Sequence, residues 1–401
     1  MVNRFLRTAP TRTLLGAIAG VVAIIAGGTA IALAAQGSGP VPKPKPLARA
    51  VRDALAAPRV KGISADISFT NGLIGASELQ GTDPLLQGGN GHVWVSGDGR
   101  FRLELYGDNG DPEIVVNHST WWVSDPTLQT VYEGTLPAGS APAAKHHQAQ
   151  VPTVAEIQTD INRLARHLNL SHARPTDVGG QPTYTVSVSP KQAGGLVGQL
   201  QLAWDAVHGV PLRFAVYARG DSKPVLQLAA TNIGYGAVAA SVFNLAPPSG
   251  YSVVKVATPS QGGAVKSEHK HGTHSDVTGV RAVAKHVGFT LSAPATLAGR
   301  TRQSVSLLGK GALLIYGQGP GAIAVVEEPA TASSSRQLQL SRAVGDHQRG
   351  ITLPTFSAHG ATAQELDTAL GTLVRFTSGG VSYTVAGSVR PAVARAAARG
   401  L

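Results

Sequence analysis

The chain opens its folded part with an alternation of hydrophobic and polar residues. Ile63, Ala65, Ile67 and Phe69 share one face of a run at 63–70 that reads as a half-buried strand. The same period-2 pattern returns at 100–106, with Phe101, Leu103 and Leu105 on one side and Arg102 and Glu104 on the other. Shorter apolar runs at 92–95, 113–116, 120–123 and 128–132 are separated by turn residues such as Gly107-Asp-Asn-Gly-Asp-Pro112. Loops this short predict adjacent antiparallel strands, a meander. Helical spacing replaces alternation in two places. Residues 47–57 suit a short helix stopped by Pro58. Thr153 and Glu156 form a capping box, after which Val154, Ile157, Ile161, Leu164 and Leu168 repeat along one helical face. Strands are predicted again at 183–189, 200–204, 212–218 and 225–232.

Periodicity stops at 258–276, a polar stretch that reads as a linker. Beyond it the pattern predicts a short helix at 277–287 and strands at 304–308, 312–317, 322–327 and 381–385. Thr362 and Glu365 suggest a second capping box, with Leu366, Ala369, Leu370 and Leu373 as a helical stripe. Pro391 opens a terminal alanine-rich helix. The fold class expected is α+β: a curved antiparallel sheet under helical cover at 47–257, then a small α+β domain at 277–401.

At the other end, residues 14–35 form an uncharged run of 22 residues, long enough to cross a hydrocarbon layer about 30 Å thick. Its length favours a transmembrane anchor. Ala32-Leu33-Ala34 keeps a cleaved signal peptide as the rival. Residues 1–13 would then be a cytoplasmic tail, 36–46 a proline-rich stalk, and the bulk of the chain extracytoplasmic, at the cell membrane. Charge supports this division. The net charge is +11, but residues 1–61 hold nine basic residues against one acid, and Arg390, Arg395 and Arg399 close the chain. Between these ends the charges balance, so the folded body lacks the basic excess a nucleic-acid binder uses. Anionic lipid head groups are the natural partner of the N-terminal cations.

Candidate chemistry is sparse. The chain has no cysteine, which excludes disulfides and thiolate sites. It lacks a Walker loop, H-E-x-x-H and G-x-S-x-G. Glu327 and Glu328 are consecutive on a strand, point to opposite faces and are expected to be solvated. His269, His271 and His274 lie in the polar linker, where a solvated role outweighs a metal site. No enzyme, metal or cofactor is expected.

Residues 99–137, GRFRLELYGDNGDPEIVVNHSTWWVSDPTLQTVYEGTLP, resemble the core of the bacterial lipoprotein-carrier family, the LolA-like fold, and its RseB/MucB-like relatives. Arg102, Pro112, Trp121-Trp122, Asp125-Pro126 and the strand 129–132 occupy the matching places. The resemblance follows element order over roughly 60–250 and is specific at 92–137; the carrier's lid arginine has no clear counterpart. It implies an incomplete antiparallel β-barrel with a helical lid over an apolar cavity that takes acyl chains. Residues 277–401 resemble a small α+β domain of unassigned function found after LolA-like domains in Gram-positive envelope proteins. The expected function is a tethered, non-enzymatic protein binding a lipid or lipoprotein acyl chain. The alternative is a regulatory module contacting an anti-sigma factor or another membrane protein. The expected cavity wall is Val93, Val95, Phe101, Leu103, Leu105, Val115 and Trp122 from the strands, with Ile157, Ile161 and Leu164 from the helix.

Overall fold

The computed structural model describes residues 39–74, 84–136, 151–256, 277–330 and 353–401. The apolar run at 14–35, the linker at 258–276 and its histidines lie outside the described residues. No described helix is long and apolar enough to cross a membrane.

The expected meander is present. After helix α1 (Leu47–Ala56) come β1 (Gly62–Asn71), a single helical turn α2 (Pro84–Gln87), β2 (Gly88–Ser96), β3 (Phe101–Leu105), β4 (Glu113–Asn117), β5 (Thr120–Asp125) and β6 (Thr130–Thr135). Helix α3 (Val154–Leu164) leads into β7 (Leu168–Leu170), β8 (Arg174–Val178), β9 (Gln181–Pro190), β10 (Val197–Asp205), β11 (Pro211–Ala218), β12 (Leu226–Tyr235) and β13 (Ser252–Lys255). These strands form one 13-stranded sheet in the order β13-β6-β5-β4-β3-β2-β1-β12-β11-β10-β9-β7, with β8 paired to β9. The first and second halves of the chain therefore meet at β1 and β12, and the sheet curls into a half-barrel. A register shift between Asp66 and Ile67 leaves Thr231 of β12 unmatched, and two more shifts interrupt β10 and β11. Each such bulge bends and twists the sheet locally. Gly91 fits this close packing: a Cβ there would meet the Glu104 carbonyl oxygen at 2.1 Å.

The capping box of α3 is formed as the sequence suggested. Thr153 N donates to Glu156 Oε2 at 2.7 Å, and Glu156 N donates to Thr153 Oγ1 at 3.3 Å. The helix stops at Leu164, however, and Leu168 belongs to β7. After β12 the chain crosses the outer face of the sheet. Phe243 is buried there under Arg100, whose guanidinium lies 5.0 Å from the ring centre. The chain then adds β13 parallel to β6.

A second sheet holds the rest: β14 (Thr296–Leu297), β15 (Arg300–Leu308), β16 (Gly311–Tyr316), β17 (Ile323–Pro329), β18 (Thr355–Ala358), β19 (Ala361–Thr368), β20 (Gly371–Ser378) and β21 (Val381–Gly387). Its order is β14-β15-β16-β17-β21-β20-β19-β18. Helices α4 (Val280–Ala284) and α5 (Pro391–Arg399) bury Val283, Ala394, Ala397 and Ala398 against one face.

The helix expected at 362–373 is a correction: these residues form the β19–β20 hairpin. Leu366 and Leu373 face each other across it, and Thr368 Oγ1 accepts from Leu370 N and Gly371 N in the turn. Glu365 does not cap a helix but pairs with Arg395 of α5. Among the described residues 48% lie in strands and 15% in helices, a strand-rich arrangement with few helices that is consistent with the α+β class expected.

Candidate functional site

The face of the large sheet that carries the main core is called inner here. At the β1–β5 end it is filled by the chain itself. Val93, Phe101, Leu103 and Leu105 are buried, and Val95 is half-buried beside them. They pack among Ile63, Ile67, Ile114, Val116 and Val123 and share one cluster with Leu212 and Ile233.

Two expected wall residues face the other way. In an antiparallel ladder, directly opposed residues share a face. Leu103 opposes Ile114 and Phe101 opposes Val116, whereas Val115 opposes Arg102 and Trp122 opposes Val115. Val115 and Trp122 therefore lie on the outer face, under Leu245 and Tyr251, and Trp122 Nε1 donates to the Leu245 carbonyl at 3.3 Å. Trp121 is the tryptophan of this pair that packs on the inner core. From α3, Ile157 is buried and Ile161 half-buried, while Leu164 is 50% exposed.

The inner face is open at its other end. Leu202 is 41% exposed, Phe214 41% and Leu200 37%. Leu202 opposes both Phe214 and Val186, and Leu200 opposes Val216 and Val188. These residues therefore form two adjacent apolar rows across β9, β10 and β11. The next row, Trp204 and Tyr184, is covered: α1 packs Leu47, Ala50, Val51 and Ala54 onto Tyr184, Val186 and Trp204, and α3 rests on α1. Cover and floor thus end in a step, with a helix on one side and bare leucine and phenylalanine on the other.

The rows continue to a pocket. Leu170 opposes Val188, and Leu168 opposes Pro190 one pleat further along the same face. Leu168 and Pro190 line a pocket of about 410 Å³, together with His167, Gln192, Gln318 and Pro320. The last two come from the turn between β16 and β17, so the second sheet forms the far wall. Leu196 N donates to the Ser388 carbonyl at 3.0 Å and to Ser388 Oγ at 2.8 Å, holding the two sheets together here. Nothing in the alternation pattern distinguishes Leu200, Leu202 and Phe214 from core residues. Their exposure depends on where α1 ends its cover.

Register also assembles polar groups that are distant in sequence. On the outer face, Ser64 Oγ lies 2.7 Å from His92 Nε2, and His92 Nδ1 lies 2.8 Å from Asp66 Oδ1. The imidazole ring centre is 4.2 Å from that of Trp94. This order of groups is that of a nucleophile, base and orienting acid, in a chain whose sequence showed no catalytic motif. An acyl-transfer site also needs donors aimed at a developing oxyanion. The β1 ladder pairs with β2 on one side and β12 on the other, which engages the backbone groups around Ser64.

Glu327 is a further correction. It is fully buried rather than solvated, and Oε2 accepts from Ser292 N at 2.9 Å. Burial pushes its carboxyl up to about 7, against that single hydrogen bond. Glu328 is half-exposed. Among the described residues no three metal-ligating side chains converge.

No protein-family model matches the sequence, and no curated protein does. Solved structures do match. MucB from the Pseudomonas aeruginosa MucA/MucB complex is 16% identical, over 88% of this chain and 94% of that one, with a TM-score of 0.36. A second crystal structure of MucB is 17% identical, over 88% and 96%, also at 0.36. A LolA superfamily protein from Nitrosomonas europaea is 8% identical, over 50% and 98%, at 0.22. Identities and scores this low carry no argument about ligand or partner.

Proposed function

We propose that the protein binds an acyl chain or similar amphiphile along β9–β11, beside the cover of α1 and α3. The observation that carries this reading is the exposure of Leu200, Leu202 and Phe214 in adjacent rows of a face that is otherwise packed. Contiguous apolar surface beside a formed pocket is the usual shape of a small-molecule site. No covalent chemistry is required. Each buried methylene contributes about 0.8 kcal/mol, so a dozen offer on the order of 10 kcal/mol. That is comparable with the roughly 4–15 kcal/mol that association costs in lost freedom. The apolar run at 14–35 supports a membrane-tethered, extracytoplasmic location. The two sheets with separate cores support two domains, at 47–257 and 277–401.

A fluorescent fatty acid titrated into the delipidated full chain tests the proposal. Saturable binding is expected, weakened at least tenfold in a Leu202→Glu/Phe214→Glu double variant. Val253→Glu, on an exposed edge position of β13, should bind as the parent does. Absence of saturable binding, or equal binding by the double variant, would overturn the groove assignment.

A further inference from the structure

The helical layer beside the groove has an outer surface of its own. On α1, Leu47, Ala50, Val51 and Ala54 point to the sheet at helical spacing. Arg49, Arg52 and Ala56 lie on the reverse face and are exposed, and Leu55 beside them is 56% exposed. Lys43 precedes the helix, and Arg59 and Lys61 follow it; all three are exposed. Helix α3 adds Val154 at 41% exposure and Leu164 at 50%, next to exposed Arg163 and Arg166.

The acids of this layer are already engaged. Asp53 pairs with Lys45 at 2.7 Å, Asp160 with Arg163 at 3.0 Å, and Glu156 closes the capping box of α3. The surface is therefore cationic, with large aliphatic side chains standing among the cations. Water-exposed leucine is unfavourable in isolation but suits the boundary between head groups and acyl chains, where lysine and arginine meet lipid phosphates.

We infer that the outer face of α1 and α3 docks on an anionic lipid surface. Chain length supports this occupant. Only residues 36–46 separate the apolar run ending at Ala35 from the first turn of α1. Lys43 is already held against the sheet, its carbonyl accepting from the Tyr184 hydroxyl at 2.6 Å, so residues 36–42 are what spans the gap, roughly 22 Å at about 3.1 Å per residue for a proline-rich stretch. A membrane holding residues 14–35 thus keeps α1 within reach of its own head groups. Charge argues the same way, because Lys43, Lys45, Arg49, Arg52, Arg59 and Lys61, against the single acid Asp53, lie on this face or at its two ends. Docking is independent of whether the groove binds an acyl chain, although it would bring the open end of the groove to the bilayer.

The absence of cysteine makes a direct test simple. Leu55→Cys carries an environment-sensitive fluorophore in the full chain reconstituted into vesicles; Lys310→Cys, at an exposed turn of the second sheet, carries it in the control. In vesicles rich in phosphatidylglycerol at about 0.1 M salt, the label at 55 should shift to the blue and be quenched by spin-labelled lipid. Both signals should fall to the level of the position-310 control in phosphatidylcholine alone. They should also be lost at about 1 M salt, where screening acts within about 3 Å. Arg49→Gln/Arg52→Gln/Arg59→Gln, with its fold checked by circular dichroism, should lose them on anionic vesicles too. Equal signals in both lipids, signals that persist at high salt, or a folded triple variant that behaves as the parent would each overturn the docking assignment. Saturable fatty-acid binding would be unaffected by any of these results, so failure of docking is distinguishable from failure of the groove.

Discussion

Glu327 sits on β17 where Ile323 and Val325, four and two residues earlier on the same face, are buried hydrophobics. A carboxyl in that row is neutral or costly. Its pKa is raised from an ordinary 4.5 to about 7, so the folded state holds the proton more tightly than the unfolded chain. The contribution of this group to stability is therefore fully present below 4.5 and is lost as pH rises through 7. The shift corresponds to about 3 kcal/mol at roughly 1.4 kcal/mol per unit. Denaturant titrations of the parent and Glu327→Gln should diverge between pH 5 and 8, with the variant gaining on the parent as pH rises. A constant difference across that range would show that the carboxyl is not carrying charge into the core. Ser64, His92 and Asp66 make a second residue-scale case. With the β1 backbone engaged on both sides, the hydroxyl lacks the donors that stabilise an acyl-transfer intermediate. A fluorophosphonate probe should leave Ser64 unlabelled, and Ser64→Ala should cost only about 1 kcal/mol, the worth of one hydrogen bond. Labelling that His92→Ala abolishes would instead make this cluster reactive.

At the scale of elements, the β19–β20 hairpin shows what pattern alone leaves ambiguous. Thr362, Glu365, Leu366, Ala369 and Leu373 satisfy a helical template, yet Gly371 closes a tight turn. A Cβ there would meet the Gly387 carbonyl oxygen at 2.4 Å. Glu365 is committed to a distant helix: Arg395 Nε and Nη2 reach its two oxygens at 2.7 and 2.6 Å. Such a long-range pair is invisible to a local template. Arg395→Ala strands a buried carboxylate, and the partial exposure of the arginine reduces the full penalty for breaking a buried pair. A loss of about 2 kcal/mol is expected by thermal or denaturant unfolding; Glu365→Gln/Arg395→Ala should recover most of it.

The meander was legible because each strand alternates cleanly and each turn is short. Inner and outer faces were legible for β3, where arginine and glutamate separate Phe101, Leu103 and Leu105. They were not legible for β4 and β5, where Ile114, Val115 and Val116 or Trp121 and Trp122 are apolar on both sides. There the covering segment at 243–251, more than a hundred residues away, decides which face is which. The open groove was hidden for a related reason, since an exposed leucine on a strand has the same alternation as a buried one. Only the position of α1 across β9 and β10 separates them.

For the whole molecule, the question is how two sheets with separate cores communicate. Their junction is small and largely made by backbone. Leu196 N and Val197 N reach Ser388 Oγ at 2.8 and 3.1 Å, that hydroxyl donates to the Leu370 carbonyl at 2.8 Å, and Ala369 N reaches the Leu73 carbonyl at 2.9 Å. Gly195 permits the approach, because a Cβ there would lie 2.6 Å from the Pro320 carbonyl oxygen. Contacts of this kind orient two units but contribute little free energy each. Ser388→Ala should therefore uncouple the sheets before it unfolds either, and calorimetry should resolve two transitions where the parent shows them closer together. A ligand in the groove acts on the same junction. Leu200 and Leu202 belong to the first sheet alone, whereas the pocket beyond Pro190 is completed by Gln318 and Pro320 of the second. A short acyl chain resting on β10 and β11 should raise only the transition of the large sheet, since a ligand stabilises the unit that binds it. A chain long enough to reach Pro320 touches both units and should raise and merge the two transitions. In Ser388→Ala the contrast is sharpest, because the ligand then replaces part of a junction that the protein no longer makes for itself. Transitions that move together for every chain length, or a small-sheet transition that no length can shift, would place the far end of the ligand elsewhere.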